Sequence, residues 1–330
     1  MKKILITLAA LATIAACNKA EVVEAPKGDA IAFGDAFVDN ATKAIYETAA
    51  NVQGFSVWGN VKGTNETPLA LYPEAGAVVT RNGAALGAAW TCSVARYWTP
   101  SASYNFTAIE NGTGTDIVNG IPTKISYTLN GADPADLIYG TATVETDEAC
   151  VPSVDSGDDK DEIEIVSFTM QHLLARVKVS FQNKIEGGDY TYAISNVTLT
   201  TWDKGVYTIA PAEGKTPWAL TAETNTVALS YASINSLEYN STTPTDAGAQ
   251  VLIPGAPMTL RFTYELKLKG SNGEATTIYT ETVTKDDIAV TLEQGHSYSL
   301  NVQLQAGGKI DFTITDGGLN AWTDSGSTNI

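Results

Sequence analysis

The stretch Leu174-Ala-Arg-Val-Lys-Val-Ser-Phe181 sets Val177, Val179 and Phe181 on one side of an extended chain and Arg176, Lys178 and Ser180 on the other. Successive side chains of a strand point to opposite faces, so a period of two assigns the stretch to β-structure; a helix would need apolar residues three and four apart. Outward from it, residues 55–60, 104–108, 124–129, 137–144, 190–200, 260–268, 276–283 and 297–304 are rich in Val, Ile, Thr, Tyr and Phe and carry the same period. Between Val52 and Leu304 no stretch of a dozen residues carries a helical stripe. Turn-forming pairs punctuate the strands at Asn82-Gly83, Asn111-Gly112, Asn130-Gly131, Gly187-Gly188, Asn272-Gly273 and Gly307-Gly308. The expectation is an all-β protein made of β-sandwiches.

The N-terminus carries a different signal. Lys2 and Lys3 precede an apolar run from Ile4 to Ala16, and Ile14-Ala15-Ala16 stands directly before Cys17. A charged start, a short apolar stretch and small residues at a cleavage point make an export signal, and the cysteine that follows makes it a bacterial lipoprotein signal. The run is shorter than the ~20 apolar residues a membrane helix needs. Residues 1–16 are therefore expected to be removed and Cys17 to carry the lipid, whose burial in a membrane is worth about 0.8 kcal/mol per methylene. An ordinary secretory signal cut near Ala16 is the plainer alternative.

Without that signal, the 330-residue chain keeps 314 residues, a length suited to two domains. Loss of Lys2 and Lys3 takes the formal charge from -17 to -19. An acidic surface of this kind argues against nucleic acid as a partner, since that needs basic patches. The two histidines, His172 and His296, and the two cysteines beyond Cys17 give no spacing for a metal site. No cofactor motif, paired carboxylates or nucleophile constellation stands out, and no catalytic role is expected. His172 reads as a packed strand histidine and His296 as a turn residue without a catalytic partner.

In an exported chain Cys92 and Cys150 are expected to form a disulfide. Closing that loop would stabilise the fold by about 4 kcal/mol; two separate buried thiols are the alternative. Residues 155–162, Asp-Ser-Gly-Asp-Asp-Lys-Asp-Glu, hold five acids and no apolar side chain. They lack the ligand spacing of a calcium loop and read as a solvated linker, with the second domain opening at Ile163.

Six places taken in order resemble the fimbrillin family, the subunits of type V pili of Bacteroidales. They are Ile31-Ala-Phe33 with Thr42-Lys43-Ala44 and Phe55-Ser-Val57; Tyr97-Trp98-Thr-Pro100 with Tyr104-Asn-Phe106-Thr-Ala108; Asp136-Leu-Ile-Tyr-Gly140; Phe168-Thr-Met-Gln-His172-Leu-Leu-Ala-Arg176-Val-Lys-Val179; Leu252-Ile-Pro254; and Gly295-His-Ser-Tyr298-Ser-Leu300 after Leu292. Ile310-Asp-Phe312 and Trp322 close the chain. The chain departs from the family pattern at Thr99, which interrupts a Trp-Pro pair, at Ala108-Ile109, and at Lys43, where arginine is commoner. The resemblance implies two tandem transthyretin-like β-sandwich domains, at 44–162 and 163–330, behind a pro-segment at 17–43. It also implies an outer-membrane lipoprotein precursor whose first strand is cut off by a trypsin-like protease between Lys43 and Ala44. A C-terminal strand of another fimbrial subunit then takes its place.

The residues themselves suit such an exchange. Ile31 and Phe33 alternate with Ala30 and Ala32, and Ile310, Phe312 and Ile314 alternate with Asp311, Thr313 and Thr315, so either end can satisfy a sheet edge while filling a core. Lys43 is the sole Lys or Arg between Gly28 and Val61 and lies in the polar stretch Asp39-Asn-Ala-Thr-Lys43, open to proteolysis. The bland reading is an uncut, solvated lysine. An alternative function is a monomeric surface lipoprotein that binds glycans through a sandwich, with Tyr97 and Trp98 stacking on sugar rings; Trp90, Tyr97, Trp98, Trp202, Trp218 and Trp322 otherwise read as core aromatics.

Overall fold

The computed structural model describes residues 28–38 and 52–319, apart from positions 65, 84–87, 133, 156–159, 220, 222–224, 241, 272, 287 and 289. The described residues are almost wholly strand and turn, with no α-helix. The first strands are β1 (Phe33–Val38), β2 (Gly54–Gly63), β3 (Leu69–Ala70), β4 (Ala77–Arg81), β5 (Trp90–Cys92), β6 (Ala102–Glu110), β7 (Thr113–Val118) and β8 (Ile121–Thr128). Next come β9 (Ile138–Thr146), β10 (Pro152–Asp155), β11 (Lys160–Glu162), β12 (Val166–His172), β13 (Ala175–Asn183), β14 (Tyr190–Trp202), β15 (Lys204–Thr208) and β16 (Trp218–Ala219). The last are β17 (Thr226–Ser230), β18 (Ile234–Leu237), β19 (Thr245–Leu252), β20 (Thr259–Lys269), β21 (Ala275–Lys285), β22 (His296–Leu304) and β23 (Ile310–Leu319).

The first sheet has the order β1-β12-β9-β6-β2-β4-β5, with β3 beside β2 and the β10/β11 hairpin extending β9. Three further sheets follow the orders β19-β13-β22-β23, β17-β14-β20-β21 and β16-β15-β8-β7, with β18 beside β14. Alternation explains the half-buried strands: in β12, Val166, Phe168, Met170 and His172 are buried while Ser167, Thr169 and Gln171 are exposed. β13 departs from its own sequence pattern. It lies between antiparallel β19 and parallel β22, and of the residues that alternation places opposite Val177 and Val179, Arg176 and Ser180 are buried and Lys178 is half-buried. An interior strand covered on both faces tolerates such residues when they find polar neighbours; Arg176 lies near the Tyr231 hydroxyl, which donates to the Val177 carbonyl at 3.0 Å.

Two hydrophobic cores result. One gathers Ile31, Phe33, Phe55, Tyr104, Phe106, Val166 and Phe168 on the first sheet. The other joins Trp58, Ile109, Ile125, Tyr127 and Leu137 to Val179, Phe181, Leu199, Phe262 and Leu300, so it draws on both halves of the chain. The register of β8 on β15, from Thr128 opposite Lys204 to Lys124 opposite Thr208, ties the halves by hydrogen bonds as well.

Three features differ from the sequence reading. β12 lies beyond the boundary expected at 162/163 yet pairs with β9 in the first sheet, Thr169 opposite Thr141 and His172 opposite Ile138; the chain leaves that sheet at Leu173. The acidic stretch is in its described part a hairpin, with Ser153 opposite Glu162 and Asp155 opposite Lys160. The expected disulfide is also absent: Cys92 and Cys150 are free thiols. Each is held by its own neighbours, Cys92 Sγ by the Val94 carbonyl at 3.3 Å and Cys150 in a buried left-handed turn with φ of 68°.

Thiol titration checks this directly. In a Cys17→Ser chain denatured without reductant, Ellman's reagent should count both remaining thiols; native protein should release Cys92, half-buried, before the buried Cys150. A count of zero after denaturation would show a bridge.

Candidate functional site

The site follows from how the first described residues are held. Ile31 N–H donates to the Arg96 carbonyl at 2.8 Å, Trp98 N–H donates to the Asp29 carbonyl at 3.1 Å, and Val166 N–H donates to the Ala32 carbonyl at 2.8 Å. The segment thus lies between residues 96–98 on one side and β12 on the other, and continues as β1, parallel to β12 with Phe33 opposite Val166 and Val38 opposite Met170. No hairpin can join parallel neighbours, which is why sequence alternation finds both strands without revealing that they pair.

Side chains complete the seat. Phe33 is 5% exposed. Its ring stacks on Phe168 at 6.0 Å and meets Phe55 and Phe106 edge-on at 6.4 and 5.7 Å. Ile31 is buried beside it in the same core. Burying an Ile and a Phe contributes roughly 1.5–3 kcal/mol each, so the segment supplies a sizeable part of what holds the first core shut. Gly28 fits because it lacks a Cβ: one built there would lie 2.6 Å from the Trp98 carbonyl oxygen.

At the other end, β23 lies antiparallel to β22, with Leu300 opposite Ile314 and Val302 opposite Phe312. Ile310, Phe312 and Ile314 are partly buried against the larger core while Thr313 and Thr315 are exposed, and the strand forms the edge of its sheet. Cys17, Lys43 and Ala44 lie outside the described residues.

Where β6 and β12 end and β9 begins, the structure gathers titratable groups that sequence reasoning did not connect. His172 Nδ1 is hydrogen-bonded to Asp136 Oδ2, both side chains being 1% exposed. Burial raises the Asp136 carboxyl, opposed by the hydrogen bond from His172. Burial, with the Asp136 charge added to it, pushes Glu110 up to about 8. This is a packed histidine with a buried acid, as its place in an alternating strand suggests. Periodicity could not supply the partner, which comes from the turn before β9.

The aromatic platform does not form. Trp98 is 1% exposed and packs edge-on against Tyr104 at 4.7 Å, leaving Tyr97, 43% exposed, as the sole wet ring of the pair. Trp90 is half-buried, with Phe55 at 5.5 Å and the Arg81 guanidinium at 5.7 Å from its ring. A Trp in the core cannot stack on a sugar, so the Tyr97–Trp98 glycan reading is withdrawn.

These features define an all-β protein whose first sheet is completed by its own N-terminal segment. A profile of the fimbrillin-like family matches residues 42–316, and the chain belongs to that family. No curated protein matches. Among solved structures, a fimbrial protein from Bacteroides vulgatus is 14% identical with a TM-score of 0.59, the alignment covering 88% of this chain and 99% of that one. A candidate cell adhesion protein from Bacteroides uniformis is 13% identical, covering 90% and 100% of the two chains, with a TM-score of 0.46. The fimbrial anchor protein Mfa2 from Porphyromonas gingivalis is 11% identical, covering 89% and 98%, with a TM-score of 0.33. At these identities the likeness to the first is one of fold.

Two outcomes follow. Phe33→Ala should cost about 3–5 kcal/mol of stability by urea unfolding, whereas Tyr97→Ala should cost under about 0.5 kcal/mol; equal effects would contradict the seat. Glu110 holds its proton in the folded state to a higher pH than the ordinary 4.5. Its contribution is therefore full below the unfolded pKa and is lost as pH rises through about 8. Glu110→Gln should be more stable than the parent at about pH 9, the difference shrinking towards about pH 4; the urea midpoint across this range reads it.

Proposed function

We propose that this chain is a structural, non-catalytic subunit of a cell-surface fimbrium that is exported as a lipoprotein, lipidated at Cys17, and assembled by exchange of its first strand. A trypsin-like protease cuts after Lys43 and frees the body beginning at Ala44 from the 17–43 pro-segment. The Ile31 and Phe33 seat along β12 then stands open, with an unpaired strand edge and an apolar floor. Such a groove captures another strand readily and aggregates if none comes.

The observation that carries the reading is the seat of β1: it adds a parallel edge strand to β12 and inserts one aromatic ring into a core made otherwise of later residues. Membership of the fimbrillin-like family supports a surface location and association with other fimbrial subunits. The replacement strand is the C-terminal one of another subunit. Ile310-Asp-Phe312 repeats the Ile-x-Phe spacing of Ile31-Ala-Phe33, so a strand of β23 composition can present an isoleucine and a phenylalanine at the same interval.

Lys43→Ala should trap a full-length lipidated precursor and abolish the ladder of multimers on unheated gels. Ladders that persist in this variant would overturn the processing step. Phe312→Ala, with cleavage intact, should yield processed subunits that fail to polymerise; normal polymers from it would exclude this strand as the donor.

A further inference from the structure

The seat of β1 asks more of its occupant than an isoleucine and a phenylalanine. Position 28 admits no side chain: a Cβ there would stand 2.6 Å from the Trp98 carbonyl oxygen, a backbone atom, and 3.1 Å from the Cys150 Cβ. Residues 29, 30 and 32 are exposed, while Ile31 and Phe33 are buried. The seat thus reads a glycine, two wet positions, an apolar side chain, one wet position and an aromatic ring. It also takes hydrogen bonds from the N–H of Ile31 and gives them to the carbonyls of Asp29 and Ala32.

We infer that the partner is a second copy of this chain, whose Gly307-Gly-Lys-Ile-Asp-Phe312 enters the seat in the direction of β1, with Gly307 in the place of Gly28, Ile310 in that of Ile31 and Phe312 in that of Phe33. The inference rests on the strand-exchange reading above and adds to it the partner and the register. Gly28-Asp-Ala-Ile-Ala-Phe33 and Gly307-Gly-Lys-Ile-Asp-Phe312 carry glycine, isoleucine and phenylalanine at the same three positions. At the wet positions the second segment brings Gly308, Lys309 and Asp311, which solvent accommodates. Residues 307–315 contain no proline, so the Ile310 N–H and the carbonyls of Gly308 and Asp311 can remake each main-chain bond.

The same residues are held loosely where they now lie. β23 is an edge strand, paired with β22 alone, so its release breaks a single ladder. Ile310 and Phe312 are half-buried there, whereas the side chains they would replace are 6% and 5% exposed; transfer gains apolar burial. Gly307 makes the move feasible. It holds a left-handed turn before β23, with φ of 74°, while Gly28 lies outside that region, and glycine adopts both conformations. The match ends after the ring. Thr313 takes the place of Gly34, where a Cβ would stand 2.4 Å from Ile165 Cδ1. That atom ends a side chain 47% exposed, so Ile165 can turn aside into water, and β1 itself breaks register between Phe33 and Ala36.

The test uses the lipid-free Cys17→Ser chain with a site-specific protease sequence placed after Lys43, cut in the presence of excess synthetic peptide; native mass spectrometry reads which segment the body holds. A peptide of residues 28–38 reports whether the seat can be exchanged at all, and a peptide of residues 307–316 is the proposed donor. The donor peptide should displace the cut segment. Its Gly307→Ala form should bind at least about tenfold more weakly, because the added methyl meets backbone. Its Gly308→Ala form should bind like the parent, and its Thr313→Gly form at least as tightly. If the 28–38 peptide enters and the 307–316 peptide does not, or if Gly307→Ala binds like the parent or no worse than Gly308→Ala, the inference is overturned while strand exchange stands, with a different subunit as donor. If the 28–38 peptide cannot enter either, the exchange reading falls and this inference falls with it.

Discussion

The insertion of Phe33 among Phe55, Phe106 and Phe168 is the contact on which the first core depends. Three strands far apart in sequence converge on a ring that reaches them from the N-terminal segment. Removing it would leave a void lined by aromatic edges and a strand, β12, with a bare backbone edge. Protein interiors are close-packed and relax only partly around a missing side chain. The segment is thus a structural plug, and the same physics that makes it stabilising makes its seat attractive to any strand with similar spacing.

The two halves of the chain are less separable than two independent sandwiches. β12 belongs to the first sheet although it follows the acidic hairpin, and His172 at its end is fixed by Asp136 before the chain turns into β13. Trp58 and Ile109 of the first sheet enter the same core as Phe181 and Phe262, and β8 is hydrogen-bonded to β15. A change in the seat of β1 acts on β12 directly and reaches β13 through only two intervening residues, Leu173 and Leu174, both fully buried.

Much of the fold is legible in the sequence, because strand identity is written in a period of two. The run from Leu174 to Phe181 and the alternation of Ile310, Phe312 and Ile314 both appear as strands. Pairing is not written there. The parallel neighbours β1 and β12 are joined by no hairpin, so nothing local links Phe33 to Phe168, and composition alone made the paired strands β10 and β11 look like a linker. Burial was misread where a second layer covers a strand, as at Arg176. The thiols of Cys92 and Cys150 suited a bridge by compartment and count, but bridging needs their Cβ atoms to face each other, which no sequence shows. Trp98 reads from the sequence as a core aromatic with a platform as the alternative, and packing decides for the core: a large ring on a strand suits both.

The central claim is that the first strand is a temporary occupant of its seat. N-terminal sequencing with intact mass, on the protein displayed at the native cell surface, tests it most directly. A start at Ala44, with the lipid and residues 17–43 gone, is the predicted result. A lipidated start at Cys17 on assembled surface material would contradict it, because Ile31 and Phe33 would then still be filling the groove that another subunit's strand is required to enter.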